Sequence, residues 1–313
     1  MKVFKNLEDI SPEFRGAFVA IGNFDGVHLG HKPIFQKLVQ EAHLANRKSV
    51  VITFEPHPRK ILCPEIQPFY LITTLEEKIG LMEVQGVDAV LIIPFSLEYS
   101  RLTAEEFIHQ VLWDRLRIQK IFIGYDYAFG KNKAGNESLL RSIGKTLGFD
   151  VAQIEAVKIG DETVSSTRLR FAILDGSIRV AAGLLGRSYN VGGLVVRGKN
   201  RGTLLGFPTA NIKPEKVLLP PQGVYAVMVH HGEKQYQGVL NIGCNPTFSN
   251  DECSVEVHLL DFTGDLYGKR LNVLFIDRIR DEVKFDSVES LIAQINRDIE
   301  RAKAMLDENK NRM

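Results

Sequence analysis

Cysteine is scarce in this 313-residue chain. Its three copies, Cys63, Cys244 and Cys253, lie far apart and never in C-x-x-C form, so neither a disulfide framework nor a zinc site is indicated. Charge of one sign is also lacking. The 39 Lys and Arg against 38 Asp and Glu leave a net charge of +1, which gives no case for a nucleic-acid or membrane surface. No apolar run is long enough to span a bilayer, and Met1 to Glu8 contain no apolar signal core. Repeats and low-complexity segments are absent. What remains is an ordinary soluble composition, 44% hydrophobic and 25% charged, of a length that suits one or two domains. A reducing cytoplasm is the simplest home.

What is present centres on Ile21-Gly22-Asn23-Phe24-Asp25-Gly26-Val27-His28-Leu29-Gly30-His31. An apolar run, Ala17 to Ile21, precedes it and reads as a buried strand. Lys32-Pro33 follows, with Ile34, Leu38, Ala42 and Ala45 marking the apolar face of a helix. Pro33 suits the first helical turn, where its missing N–H costs nothing. A glycine-rich turn from strand to helix N-terminus exposes backbone N–H groups, and the helix dipole favours an anion beside them. His28 and His31 can face one bound group and hold charge developing on a leaving pyrophosphate. A phosphate nucleophile is already ionised, so no base is required. A plain turn with incidental histidines, or an i,i+3 metal pair lacking a third ligand, are the competing readings.

From Ala17 to about Leu174, short apolar runs alternate with helical patterns. Val50 to Phe54, Ala89 to Ile93, Lys120 to Ile123 and Val151 to Val157 read as strands. Leu75 to Val84, Ala104 to Leu116 and Ser138 to Leu147 read as helices. This order predicts a doubly wound parallel sheet, with ligands at the carboxyl ends of its strands. Three more stretches fall after strands. Phe54-Glu55-Pro56-His57-Pro58 is a loop stiffened by two prolines. Gly124-Tyr125-Asp126-Tyr127-Ala128-Phe129-Gly130 follows another strand, with core packing the competing reading for Phe129. Ser165-Ser166-Thr167-Arg168 suits a helix cap and equally a phosphate.

After Gly176 the pattern changes. Ser177 to Gly186 reads as a short helix and Gly186 to Tyr189 as a boundary, giving domains 1–186 and 187–313. Gly223 to His230, Gln237 to Ile242, Ser254 to Leu260 and Arg270 to Ile276 alternate and read as antiparallel strands. Closure into a barrel leaves few free edges, and a helix from Ser287 to Leu306 closes the chain, with Leu291, Ile295, Ile299 and Ala302 inward. Gly198-Lys199-Asn200-Arg201-Gly202, continuing through Gly206-Phe207-Pro208 to Thr209-Ala210-Asn211, makes a phosphate loop plausible. Thr209 and Asn211 can both offer oxygen to a hard cation such as Mg²⁺. Within Ser254 to Leu260, Glu256 shares a face with Ser254 and His258, opposite Val255, Val257 and Leu259.

The G-N-F-D-G-V-H-L-G-H string resembles the nucleotidylyltransferases, whose signature is His-x-Gly-His after the first strand. More closely it resembles the bacterial bifunctional riboflavin kinases/FMN adenylyltransferases. That resemblance covers almost the whole chain, with both signature sets in order. It implies a Rossmann-like nucleotidylyltransferase domain followed by a riboflavin kinase barrel, working on riboflavin, FMN, ATP and FAD with Mg²⁺. It carries over Gly22, Asn23, Phe24, Asp25, Gly26, His28 and His31, with Ser165, Ser166, Thr167 and Arg168, as ATP contacts. Phe54, His57, Asp126 and Phe129 would border the flavin. In the kinase half it implies Gly198, Lys199, Arg201, Gly202, Gly206, Phe207, Pro208, Thr209, Asn211, Asn245, Thr247 and Arg280 as substrate contacts, Thr209 and Asn211 as metal ligands, and Glu256 as general base. Two departures are visible. Tyr127 stands where Phe is usual, and Thr203 stands where a second Arg often follows R-G. Another nucleotidylyltransferase, or a flavin-binding regulator that kept the fold, are the alternatives. The first leaves the second domain unexplained, and the second leaves the intact histidines, Thr209, Asn211 and Glu256 unexplained.

Overall fold

In a computed structural model, residues 1–66, 68–198, 201–244 and 253–310 are described. The chain divides into two compact units, Met1–Ser166 and Thr167–Met313.

The first unit is built on a six-stranded sheet: β1 (Lys2–Phe4), β2 (Phe18–Ile21), β3 (Ser49–Glu55), β4 (Ala89–Pro94), β5 (Lys120–Gly124) and β6 (Asp150–Ile154). All neighbours are parallel, in the order β1-β4-β3-β2-β5-β6. The helices are α1 (Lys32–Leu44), α2 (Pro58–Leu62), α3 (Leu75–Val84), α4 (Ala104–Phe107) and α5 (Glu137–Leu147). Strand residues are apolar on both sides because both faces are covered. Val19, Ile21, Val50, Ile52 and Leu91 enter one core with Phe107, Ile108 and Leu140. Phe18, Ala20, Val51, Val90 and Phe122 enter the other, where α1 contributes Ile34, Phe35 and Leu38. After edge strand β1 the chain enters the centre of the sheet at β2, works outward through β3 and β4, then crosses back to β5. The switch point therefore lies at the carboxyl ends of β2 and β5, the usual ligand crevice of such sheets.

Three details depart from the pattern read in the sequence. Strand β1 is short and largely exposed, so it leaves no apolar run to detect. The helix expected over Ala104 to Leu116 continues from α4 into a π-helical segment, Ile108–Arg115. Strand β6 stops at Ile154, and a small hairpin follows, β7 (Lys158–Ile159) and β8 (Glu162–Thr163).

The second unit takes up the chain within α6 (Ser166–Leu174), at Thr167, continues with α7 (Ile178–Leu185) and contains a closed antiparallel barrel, ordered β10-β13-β12-β11-β14-β9. Its strands are β9 (Tyr189–Val196), β10 (Ala210–Pro214), β11 (Gly223–His231), β12 (Lys234–Cys244), β13 (Cys253–Leu259) and β14 (Arg270–Arg280). Short α8 (Arg201–Leu204) lies between β9 and β10, and α9 (Val288–Lys310) ends the described chain. Strands β9 and β10 escape a periodicity search because Gly192, Gly193 and Pro214 are poor strand residues. Helix α7 packs on β9 and β14. Its Ile178, Ala181, Leu184 and Leu185 are buried, and Arg179 pairs with Asp277 at 2.6 Å. So α7 belongs by packing with the barrel, whereas the sequence pattern left it with the first domain. Helix α9 covers β11 and β14 through Ala302 and Leu306, against Val224, Ala226, Ile276 and Ile279.

Candidate active sites

The loop after β2 is held in an uncommon backbone shape. Phe24 and Val27 have φ of 48° and 40°, values a bulky or β-branched residue adopts only under strain. The strain is held by partners. The buried Asp25 carboxylate accepts from the N–H groups of Ile72 (3.1 and 3.2 Å) and Thr73 (3.1 Å) and from Thr73 Oγ1 (3.2 Å). Gly26 N–H donates to Thr73 Oγ1 at 3.1 Å. Thr53 Oγ1 and Lys78 Nζ both donate to the Asn23 carbonyl at 3.2 Å. Asp25, expected at the nucleotide, thus has its carboxylate engaged by the chain that leads into α3. Phe24 is buried between Phe35 (4.8 Å) and the edge of the His31 ring (5.2 Å).

His28 and His31 come together with their rings stacked 3.7 Å apart, 20° from parallel. Gly30 N–H donates to His28 Nδ1 at 3.2 Å, so the His28 proton sits on Nε2 and points at Ser166 Oγ, 3.2 Å away. Ser166 Oγ–H in turn donates to the Asp25 carbonyl at 3.0 Å. A side chain at Gly30 would lie 2.9 Å from the Val164 carbonyl oxygen and 3.0 Å from the His28 ring, so only glycine lets the second signature approach the first. His31 Nδ1 is buried without a hydrogen-bond partner. Burial first, then the neighbouring His28 and Lys78, hold the His31 imidazolium well below its ordinary 6.5. His31 is therefore a neutral imidazole near pH 7. Of the second signature, Ser166 opens α6, with Ser165 before it and Thr167 and Arg168 after it.

The expected flavin residues are less tightly gathered. Phe54 leans on Phe95 (5.8 Å) and Tyr99 (6.2 Å) at the carboxyl ends of β3 and β4. His57 caps α2 by accepting from Arg59 N–H at 3.1 Å and packs on Phe69 at 4.7 Å. Asp126 is exposed in the turn after β5. Phe129, expected to border the flavin, is buried against Phe107 and Tyr127 in a core cluster. Tyr127 and Tyr99 bury hydroxyls that have no hydrogen-bond partner, and burial pushes both phenols up.

The barrel's site runs across strands. Asn211 of β10 and Asn241 of β12 stand in register on either side of Glu256 of β13. Val255, Val257 and Leu259 are buried, which leaves Ser254, Glu256 and His258 on the outer face. Each of these three has a partner. Ser254 Oγ donates to the Gly243 carbonyl at 3.3 Å, Thr209 Oγ1 to Glu256 Oε2 at 3.3 Å, and His258 Nδ1 to the Pro208 carbonyl at 2.8 Å. Phe207 meets the His258 ring edge-on at 5.9 Å. A side chain at Gly198 would collide with the Asn211 amide, so the glycine-rich segment starts directly over Asn211. Arg201 and Gly202 open α8, and Gly206 turns back at φ 85°. A cavity of about 450 Å³ opens beside this row, lined by Pro208, His258, Leu260, Phe262, Ile299 and Lys303 among others. Lys199, Asn245 and Thr247 lie outside the described residues.

Arg280 was expected at the nucleotide or flavin. Its Nε lies 3.0 Å from both Asp298 oxygens, its Nη2 donates to Asp298 Oδ2 at 2.7 Å, and its Nη1 donates to the Asp281 carbonyl at 2.8 Å. The guanidinium therefore clamps α9 to β14, with Gln294 Nε2 also donating to Asp298 at 2.8 Å. Sequence reasoning missed Lys78, Thr73 and Asp298. For Lys78 and Asp298 a signal existed: each is a charged residue on the inward face of its helix, Lys78 in step with Met82 and Asp298 with Ala302 and Leu306.

The histidine pair lies in the sheet unit and Glu256, between Asn211 and Asn241, lies in the barrel, and the family comparison matches each part of the chain separately. The profile of the FAD synthetase family matches residues 10–168, and that of riboflavin kinase matches residues 185–306. The chain belongs to the bifunctional riboflavin kinase/FMN adenylyltransferase family. The relative of that name from Pseudomonas fluorescens is 38% identical over 306 residues, covering 97% of this chain and 98% of its own length. The one from Escherichia coli K12 is 38% identical over 301 residues, covering 95% and 96%. A solved structure from Streptococcus pneumoniae, carrying the name macrolide-efflux protein, superposes with a TM-score of 0.87 at 33% identity, over 96% of this chain and 98% of its own. Among the described residues no helix is long and apolar enough to cross a membrane. This member of the riboflavin kinase/FMN adenylyltransferase family carries His28, His31, the Pro208-Thr209-Ala210-Asn211 segment and Glu256.

Proposed function

We propose that this chain makes FAD from riboflavin in two ATP-dependent steps at two sites. The kinase segment is 187–313 and the adenylyltransferase segment 1–186, in the cytoplasm, where ATP is at hand and thiols stay reduced. The observation that carries the reading is the pairing, in one chain, of the stacked His28 and His31 after β2 with the Asn211–Glu256–Asn241 row on the barrel.

At the barrel, the riboflavin 5′-oxygen bonds to the γ-phosphorus of ATP, the bond from that phosphorus to the β–γ bridging oxygen breaks, and ADP leaves. A primary alcohol is a poor nucleophile, so Glu256 orients the hydroxyl and takes its proton as the new bond forms. Thr209 and Asn211 offer neutral oxygens beside a carboxylate, a donor set that fits a hard cation. These two residues would hold Mg²⁺, which when bound screens the phosphate charge. Gly198, Gly202 and Gly206 border the phosphates, and the family resemblance assigns substrate contacts to Lys199, Arg201, Asn245 and Thr247. The cavity beside Pro208, His258 and Phe262 receives a planar ring of one substrate.

At the sheet, an FMN phosphate oxygen attacks the α-phosphorus of a second ATP and pyrophosphate leaves. The nucleophile is already an anion, so the site needs donors rather than a base. His28 carries its proton on Nε2, and His31 has a ring nitrogen without a partner. Both can donate to the triphosphate as charge moves onto the leaving group. Backbone at Gly22 to Gly26 and side chains from Ser165 to Arg168 hold the nucleotide, while Phe54, His57 and Asp126 border the flavin.

The test is product analysis. Purified chain mixed with riboflavin, ATP and Mg²⁺ should yield FMN first, then FAD with pyrophosphate. Failure to phosphorylate riboflavin, or to adenylylate added FMN, would refute the corresponding half.

A further inference from the structure

Lys78 is a lysine where the packing favours an apolar residue. It is 5% exposed on the inward face of α3. Its Nζ donates to the Asn23 carbonyl at 3.2 Å and to Thr53 Oγ1 at 3.1 Å, and Thr53 Oγ1 donates to the same carbonyl at 3.2 Å. These three groups close a triangle that ties the loop after β2 to the carboxyl end of β3. Both acceptors are neutral oxygens, and a buried ammonium on neutral acceptors is unfavourable compared with a methionine of similar length. The same stretch of chain grips the loop again at Asp25 and Gly26, through Ile72 and Thr73. The Asp25 and Glu55 carboxylates favour the ammonium's charge from beyond hydrogen-bond reach, so position 78 carries both an anchor and a charge that a methionine would lack.

We propose that Lys78 is a positioning residue of FMN adenylylation: it fixes the Asn23–Gly26 loop against β3 and keeps a positive charge beside the His28–His31 pair. The proposal rests on assigning adenylyl transfer to this site. Strand β3 runs on into Phe54 and His57, so the triangle sets the nucleotide loop and the flavin-side loop at one fixed spacing. In a reaction whose rate depends on two phosphates meeting in line, that spacing bears on turnover. The charge has a second consequence. Asp25 from the loop, Glu55 from β3 and His31 from the start of α1 are the titratable groups that face Lys78. Of these, His31 is kept neutral in part by the ammonium, alongside burial and His28. Losing the ammonium would let His31 take up its proton at higher pH.

The experiment uses the full chain carrying Lys78→Met, Lys78→Arg, Thr53→Val or His31→Ala. Each variant is assayed for FMN adenylylation across pH, with riboflavin phosphorylation as internal control. Lys78→Met should lower the adenylylation kcat by roughly 10–100-fold, and move the acidic limb of its pH profile upward. Lys78→Arg should recover part of kcat and keep the limb in place. Thr53→Val breaks the triangle but keeps the charge, so it should lower kcat without moving the limb, and it carries the test if Lys78→Met does not fold. Kinase turnover should stay at wild type in all. Wild-type kcat and an unmoved limb in Lys78→Met, or wild-type kcat in Thr53→Val, would overturn the proposal while leaving the site assignment intact if His31→Ala is inactive. A His31→Ala variant that adenylylates FMN normally would remove the site assignment, and the role of Lys78 with it.

Discussion

The two sites solve different chemical problems with different structural means. In the parallel-sheet unit the groups are local in sequence: Gly22 to His31 form one loop, and Ser166 reaches it at 3.2 Å. The loop is strained at Phe24 and Val27 and held from behind by Ile72, Thr73 and Lys78. In the barrel unit the groups come from strands far apart in sequence, β10, β12 and β13, and meet only by register. The first site presents two imidazoles and an Asp25 carboxylate already engaged by Ile72 and Thr73, which suits the proposed phosphate nucleophile that brings its own negative charge. The second presents a carboxylate beside neutral oxygens, which suits the proposed alcohol nucleophile that must lose a proton. On the proposed assignment, a nucleophile's protonation state is matched by the side chain each unit displays.

The sharpest way to break this comparison is at the carboxylate. Glu256→Gln keeps shape and hydrogen bonding but cannot take a proton. Kinase turnover should fall roughly 10²–10⁴-fold, with adenylylation of supplied FMN unchanged. Steady-state kinetics on riboflavin and on FMN, run side by side, check it, and near wild-type FMN production would exclude Glu256 as the base.

Next in size is the clamp under the barrel's helix. Arg280→Met would leave Asp298, almost fully buried, without its cation. Breaking such a pair by removing one partner costs about 3–5 kcal/mol. Chemical denaturation followed by the single-unit signals should show the barrel destabilised and the sheet unit unmoved. If Arg280 mainly served the substrate, KM would rise while stability stayed put.

At the other site, His31→Ala should slow FAD formation by roughly 10²-fold or more and spare FMN formation. Equal loss of both activities in a folded variant would mean that the two sites are not separate.

The smallest effect is a pH dependence of stability. The folded-state pKa of His31 lies below its ordinary 6.5, so the unfolded chain binds the proton first. The stabilisation from keeping it neutral is complete above 6.5 and is lost as pH falls towards the folded value. Urea unfolding at about pH 7.5 and about pH 5.5 should therefore show a larger acid-induced loss for wild type than for His31→Gln. Equal losses would mean that His31 does not titrate as its burial implies.

The fold class and the residues of both signatures were legible in the sequence because glycines, histidines and prolines at strand ends announce turns by their chemistry. The alternation around Glu256 was legible for the same kind of reason: period two survives on a strand with one buried face. The rest was hidden for physical reasons. Strands β9 and β10 carry glycine and proline, and helix α7 sits where chain order and packing disagree. Asp25 and Phe129 illustrate a further limit. A motif residue can support the loop from below, as Asp25 does for Ile72 and Thr73, or fill the core, as Phe129 does. Sequence spacing alone does not separate those duties from ligand contact. Lys78 and Asp298 were overlooked because a helical stripe is read by its apolar members. A charged residue in step with the stripe is the better flag, since burying it requires partners.

The central claim is that one chain holds two independent sites joined only by the FMN that passes between them. The most direct measurement mixes two full-length variants, His31→Ala and Glu256→Gln, with riboflavin, ATP and Mg²⁺, and follows FMN and FAD chromatographically. Alone, His31→Ala should accumulate FMN and Glu256→Gln should make almost nothing. Together they should form FAD, the first supplying FMN and the second adenylylating it. A mixture of folded variants that yields no FAD, whether FMN accumulates or not, would contradict two independent sites joined by FMN.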